Sequence, residues 1–408
     1  MQKLALLKGE VKHYDWGGVS FIPSLLQIEN PQMKPFAEYW MGVHPGARCL
    51  MQLSNGGEVL LRDFIDEHRE ALLGKVVLQS FKEMPYLLKV LDVKDMLSIQ
   101  VHPSKEQAAV DFENETARGI ALNAPDRNYK DKNHKPELMV ALSPFYLLHG
   151  FKPEEKLLAT LQAVEELHVF IPVFKKDGYK GLYKMAMELP QEEVNELLQP
   201  LISRIIPLYQ QDKLKKDAED FWAARAAQTF VQPDTIDRGI FSIYFFNLVH
   251  LKKGEAIFQD AGVPHAYLEG YNVEIMASSD NVLRGGLTSK HIDTVELLKH
   301  TKCAATHPQI IKNQNGQKEK HYPAPVADFQ LNGYELEPGD EIMIHPSTAE
   351  ILLLINGRAA LHNGDTAVEL KPGNIAAIAF SGTEIKIHAK EGALLFRATV
   401  PAGQSKDQ

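Results

Sequence analysis

A chain of 408 residues, 44% hydrophobic and 24% charged, has the make-up of a globular protein too long for one ordinary core, so two or three domains are expected. A net charge of -9 argues against a nucleic-acid-binding surface, and no apolar run approaches the ~20 residues that a membrane span needs. Only Cys49 and Cys303 occur, far apart and in no metal-like spacing, which excludes a disulfide framework and fits a reducing compartment. The opening MQKLALLKGEVKHYDWGG lacks the longer apolar region and small-residue cleavage site of a signal peptide, so a cytoplasmic location is expected.

Residues 1–150 are turn-rich, with short apolar runs such as YLLKVLDV and PELMVAL between Gly, Pro, Asn and Asp clusters, which predicts mainly β structure. From 151 to 236 the period changes. In PEEKLLATLQAVEEL, Leu157, Leu158, Leu161, Val164 and Leu167 recur at helical spacing behind Pro153. Val194, Leu197, Leu198, Leu201, Ile202 and Ile205 repeat the pattern, with a kink or break expected at Pro200. DAEDFWAARAAQTF reads as a third helix. Strands resume with IFSIYFFNLVHL and run through 237–318. The stretch 319–408 then carries ILLLINGRAAL, AVELKPGNIAAIAF and ALLFRATVP between Gly-containing turns, as a sandwich or jelly-roll barrel would. The expected fold is mainly β with a helical insertion.

Three segments collect ligand-type side chains. In LSIQVHPS, Ser98, Gln100 and His102 alternate with Leu97, Ile99 and Val101, so they share one face of a strand. A polar barrel interior would account for them equally well. In NHKPELMVAL, Glu137 enters an apolar strand, where it must be solvated, paired or metal-bound. In AGVPHAYLEGYNVEIMASSDNVLRGGLTSKHID, His265 and Tyr267 share a face, as do Asn272, Glu274 and Met276. Asp280, Arg284 and Lys290 follow in a loop that either binds an anion or is merely solvated.

Together SIQVHP, NHKPE and YNVEIMASSDNVLRGGLTSKHID resemble the type I phosphomannose isomerase family. AEYWMGVHPGA at 37–47 and Tyr14 to Gly17 match it as well, in order along the chain. The resemblance implies two cupin barrels plus an α-helical domain. The catalytic barrel would comprise 1–150 and 237–318, and a metal-free barrel 319–408. It implies one Zn²⁺ per chain, held by Gln100, His102, Glu137 and His265, and interconversion of mannose 6-phosphate and fructose 6-phosphate through an enediol(ate). Ser98, Lys89, Tyr267 and Lys290 would surround the sugar phosphate, and Asp280 with a histidine would open the ring. Glu274 and a desolvated Lys135 are both candidates for the base, with Lys135 placed in the proton path and Arg284 stabilising negative charge. His44 and His134 are expected to be hydrogen-bonding or structural, and Trp16 and Trp40 to line a cleft or pack. No nucleic-acid or membrane partner is expected, and the chain is expected to be a monomer or a weak homo-oligomer. An iron oxygenase of the same superfamily would also use two histidines and a carboxylate, and a non-catalytic sugar-phosphate binder could retain the fold.

Overall fold

Three neighbouring strands, Tyr86–Val93, Glu137–Ala141 and the second half of His265–Ala277, are buried on both faces, and this decides how the rest packs. The computed structural model describes residues 1–401 except 231, 233 and 313–315. Because successive side chains point to opposite faces, each strand contributes to two cores. Tyr86, Leu88, Val90, Leu138, Val140, Val273 and Ile275 point one way, into a core shared with Leu331, Ile351, Leu353, Ile378 and Phe396 from the end of the chain. Leu91, Val93, Met139 and Ala141 point the other way, where they meet Phe145, Leu147 and Tyr267. That second face also carries Lys89, Glu137 and Glu274. The ladder sets Glu274 opposite both Lys89 and Met139, and Met276 opposite Glu137.

These strands belong to a ten-stranded sheet that also takes in Glu38–Gly42, Phe145–Phe151, Phe246–Leu251, Ala256–Gln259 and the short Gln100–Val101 and Leu283–Arg284. The jelly-roll of the last part of the chain has two sheets, four-stranded and eight-stranded, around Leu352, Leu354, Leu361, Ile387 and Leu395. Its eight-stranded sheet includes strands from the start of the chain. Leu4–Lys8 pairs with Ala376–Ala379 on one side, Leu4 opposite Ala379, and with Leu50–Gln52 on the other, Leu7 opposite Met51. This pairing has no signature in the sequence.

The helical insertion comprises Glu154–Ala163, Phe170–Glu188, Gln191–Gln210 and Glu219–Thr229. Its apolar faces, with Leu157, Phe170, Leu198 and Trp222, cover the outer side of the barrel through Ile99, Val101, Leu148 and Leu283. Gln191–Gln210 continues past Pro200 and Pro207 as one helix, so of the kink or break expected at Pro200 the break does not form. Burial of Val194, Leu198, Leu201, Ile202 and Ile205 offsets the missing N–H groups. Phe170–Glu188 is a helix that the sequence pattern does not announce, and it is interrupted at Gly178, whose φ of 62° is left-handed. The run IFSIYFFNLVHL divides into a helix, Gly239–Phe245, and a strand, Phe246–Leu251. Its helical part is apolar but for Ser242 and is buried at every position, so periodicity could not separate the two. Within the first 150 residues a helix, Lys105–Ala117, starts at a capping box of Ser104 and Gln107.

Candidate active site

The segment around LSIQVHPS forms only a two-residue strand, Gln100–Val101, yet its register fixes the site. Gln100 lies opposite His265 on one side and opposite Arg284 on the other, so the three side chains share a face. Ile99 and Val101 point outward into the helical core as expected. Leu97 departs from the alternation and lines the cavity with Ser98 and Gln100.

His102, Glu137 and His265 bring one ligand atom each within 4.8 Å of one another. His102 Nε2 lies 3.4 Å from Glu137 Oε1, and His265 Nε2 lies 3.4 Å from Glu137 Oε2. The other ring nitrogens face main-chain carbonyls: His102 Nδ1 is 2.9 Å from Asn281 O, and His265 Nδ1 is 3.0 Å from Val263 O. A carbonyl only accepts, so Nδ1 carries the hydrogen in both rings and both Nε2 lone pairs converge. Burial, then the charge of Lys135, pushes His102 down to about 4, so it is neutral near pH 7. Burial would raise Glu137, but Lys135 and His102 hold it well below the usual carboxylate range. Among the described residues His102 Nε2 is buried without a hydrogen-bond partner. Two imidazoles that turn Nε2 inward, one carboxylate and that orphaned His102 nitrogen fit a Zn²⁺ site, with the rings oriented from behind.

The trio adjoins a cavity of about 820 Å³. Ser98, Gln100, Lys89, Lys135, Tyr267, Glu274, Asp280, Arg284 and Lys290 all line it, with Glu137 and His265. His102 lies behind them, fully buried. On one wall Lys89 Nζ is 3.1 Å from Glu274 Oε1 and 3.7 Å from Glu38 Oε2, under the Trp40 ring at 5.0 Å. Burial would lower Lys89, but Glu38, Glu274 and Glu137 outweigh it and keep the ammonium charged. The Tyr267 hydroxyl donates to Glu274 Oε2 at 2.7 Å. Burial, reinforced by Glu137, raises Glu274. Lys135 donates to Glu137.

Another part of the lining is cationic. Among the described residues neither Arg284 nor Lys290 has an ion-pair partner. Burial lowers Lys290 and the neighbouring Arg284 lowers it further. Two unpaired cations at one end of a cavity make a site for an anion. Asp280 stands at the mouth, 3.5 Å from Nε2 of His44. The Gly46 N–H donates to His44 Nδ1 at 3.1 Å, which leaves the hydrogen on Nε2, toward Asp280. His134 is turned away, 3.1 Å from Asp328.

Several contributors were not singled out from the sequence. Glu38 shares a face with Trp40 along Glu38–Gly42 and is buried, a signal that period two could have exposed. Asn281 holds two approaches together. Its carbonyl orients His102, while its amide group donates to the carbonyls of Asp131 and Asn133, both at 2.8 Å. Thr229, Phe230 and Gln232, beyond the third predicted helix, reach the same cavity.

A jelly-roll barrel with two histidines and a carboxylate beside a cavity edged by unpaired cations defines a cupin metalloenzyme for a negatively charged small molecule. Residues 4–154 match the sequence model of the type I phosphomannose isomerase catalytic domain. The chain is 37% identical over 393 residues to mannose-6-phosphate isomerase of Escherichia coli K12, covering 95% of this chain and 97% of that one. It is 33% identical over 422 residues to the Homo sapiens enzyme, covering 95% and 96%. A crystal structure of mannose 6-phosphate isomerase from Salmonella typhimurium, bound to its substrate and a zinc atom, superposes with a TM-score of 0.86. The identity there is 33%, over 98% of this chain and 100% of that one. This chain belongs to the type I phosphomannose isomerase family.

Proposed function

We infer that this chain is a zinc-dependent aldose–ketose isomerase that interconverts mannose 6-phosphate and fructose 6-phosphate through an enediol(ate). One observation carries the reading. Glu137 and His265, with His102 Nε2 converging from behind them, sit on the same cavity as Arg284 and Lys290, which have no ion-pair partner among the described residues. His102, Glu137, His265 and Gln100 would hold the zinc, which would supply a Lewis acid beside the sugar oxygens.

Around it the chain's own groups divide the work. Lys290 meets the phosphate, with Ser98 on the same cavity, and Arg284 meets the charge that grows on the enediolate oxygens. Asp280, oriented by His44, and a site histidine move the proton that opens the pyranose ring. Lys89 is held as a cation between two carboxylates, so it does not serve as the base; it fixes Glu274, with Tyr267 on the other oxygen. The proton between C1 and C2 passes through Lys135 and Glu274, both on the cavity wall.

In this reading 1–150 and 237–318 form the catalytic barrel, 151–236 the helical domain and 319–408 a metal-free barrel. Leu4–Lys8 and Leu50–Gln52 are lent to the last of these. No helix among the described residues is long and apolar enough to cross a membrane. The chain works in the cytoplasm as a monomer or weak homo-oligomer. A coupled assay for fructose 6-phosphate formed from mannose 6-phosphate, with and without chelator, tests the function. Absence of product with zinc-loaded protein overturns it.

A further inference from the structure

Asp237 lies just before the helix Gly239–Phe245, and its carboxylate accepts three main-chain N–H groups. Oδ1 takes those of Gly239 at 2.7 Å and Leu287 at 2.8 Å, and Oδ2 takes that of Thr288 at 3.0 Å. The last two belong to the loop 286–290, whose Leu287, Thr288, Ser289 and Lys290 line the active cavity. Two glycines let the segments come this close. A Cβ on Gly286 would stand 2.4 Å from Gly239 Cα, and one on Gly239 would stand 2.6 Å from Leu287 N. The loop also bends through left-handed backbone, with φ of 119° at Gly286 and 52° at Leu287, a shape that a non-glycine residue keeps only when its surroundings enforce it.

Asp237 is itself held from the helical side. The Ile236 N–H donates to Asn195 Oδ1 at 3.0 Å, and Gln191 Nε2 donates to Ile236 O at 2.9 Å. Arg238 donates to Met187 O. On its far side the loop is anchored by Ile99 N–H to Gly286 O at 3.0 Å. The carboxylate therefore joins the helices to the segment that carries Lys290.

We propose that Asp237 is a positioning residue for substrate binding, and that through its carboxylate the helical insertion sets the placement of the 286–290 loop at the phosphate end of the cavity. The inference rests on the isomerase reading for the identity of the substrate alone. It assigns the insertion a part in ground-state recognition of the phosphorylated end of the sugar, in addition to covering the barrel.

Asp237→Ala and Asp237→Asn are compared with the zinc-loaded wild type. The readouts are KM and kcat with mannose 6-phosphate, binding of inorganic phosphate, zinc content, and hydrogen exchange of the Leu287 and Thr288 amides. Asp237→Ala should raise KM and weaken phosphate binding about tenfold or more, with kcat within about threefold and zinc unchanged. Asn keeps an acceptor at only one end, so Asp237→Asn should fall between. Both variants should speed exchange at the two amides. Unchanged KM and phosphate affinity in either folded variant overturns the proposal, as does a loss in kcat with KM unmoved. If Asp237→Ala does not fold, Asp237→Asn decides. If the wild type turns over no mannose 6-phosphate, the isomerase reading fails, while phosphate binding and amide exchange still decide the role of Asp237.

Discussion

Lys89 and Glu274 stand directly opposite each other on adjacent strands, Nζ to Oε1 3.1 Å, and both are buried. Glu38 lies on the other side of the same ammonium. Lys89→Met would therefore strand two carboxylates in a low-dielectric wall, at a cost of about 3–5 kcal/mol in stability. Urea unfolding should show that loss, and the double variant Lys89→Met, Glu274→Gln should lose less than Lys89→Met alone. A Lys89→Met protein as stable as the wild type would show that the pair is solvated.

Elemental analysis should return one zinc per chain. A second cluster, Asp111, Glu296 and His300, has suitable ligand types. Its carboxylates already engage Lys299 and the Tyr129 hydroxyl, at 2.6 Å in both closest contacts, so it needs no ion. Chelation should abolish turnover and Zn²⁺ should restore it, while a protein lacking both His102 and His265 should retain no zinc. Two zinc ions per chain, or full activity after thorough metal removal, would contradict this.

Arg284→Ala should keep its fold and its zinc while kcat drops by about 10²–10³, as for the loss of one donor to a developing oxyanion. Arg284→Lys should recover little, because an ammonium lacks the planar fork. If only KM rose, Arg284 would be a ground-state phosphate clamp, and the charge on the enediolate would fall to other groups.

Asp92 gives a pH test away from the chemistry. Burial pushes its carboxyl up to about 6, and Oδ2 has no hydrogen-bond partner among the described residues. A folded-state value above the unfolded one near 4 means that the native state binds the extra proton. Stability contributed by this group is present below about pH 4 and lost as pH rises through about 6. Asp92→Asn should therefore raise the melting temperature at pH 7–8 and leave it nearly unchanged at pH 4. An equal shift at both pH values would remove the carboxyl as the cause.

A chain cut after residue 318 should be insoluble or unstable. The cut removes Ile351, Leu353, Ile378 and Phe396 from the core they share with Leu88, Val90, Val273 and Ile275. It also leaves the Tyr86 hydroxyl without the carbonyls of Ala349 and Ala398, now 2.9 and 2.8 Å away. A soluble, fully active fragment ending there would show that the catalytic barrel stands alone.

The order of strands and helices was largely legible in the sequence, because YLLKVLDV and PELMVAL are bounded by turn residues and PEEKLLATLQAVEEL keeps a helical period. Phe170–Glu188 escaped because Gly178 and charged residues interrupt its period, and Gly239–Phe245 because an apolar run has none. The residues that gather around the cavity were reached through motifs, and period two alone already placed Gln100 with His102 and Asn272 with Glu274. Asn281 and Asp237 remained hidden for a different reason. They act on main-chain groups distant in sequence, Asp131 to Asn133 and Leu287 to Thr288, and such contacts leave no local pattern.

The strand Leu4–Lys8 finds its partner Ala376–Ala379 some 370 positions later, Leu4 opposite Ala379. A ribosome delivers the first of these long before the second. During synthesis the opening strand, paired with Leu50–Gln52 on one side, must wait with its other hydrogen-bonding edge open. Closure of the eight-stranded sheet, and of the core behind Lys89 and Glu274, is thus a late event that follows translation of nearly the whole chain. Until then the unpaired edge of Leu4–Lys8 is exposed to mispairing with other unfinished chains.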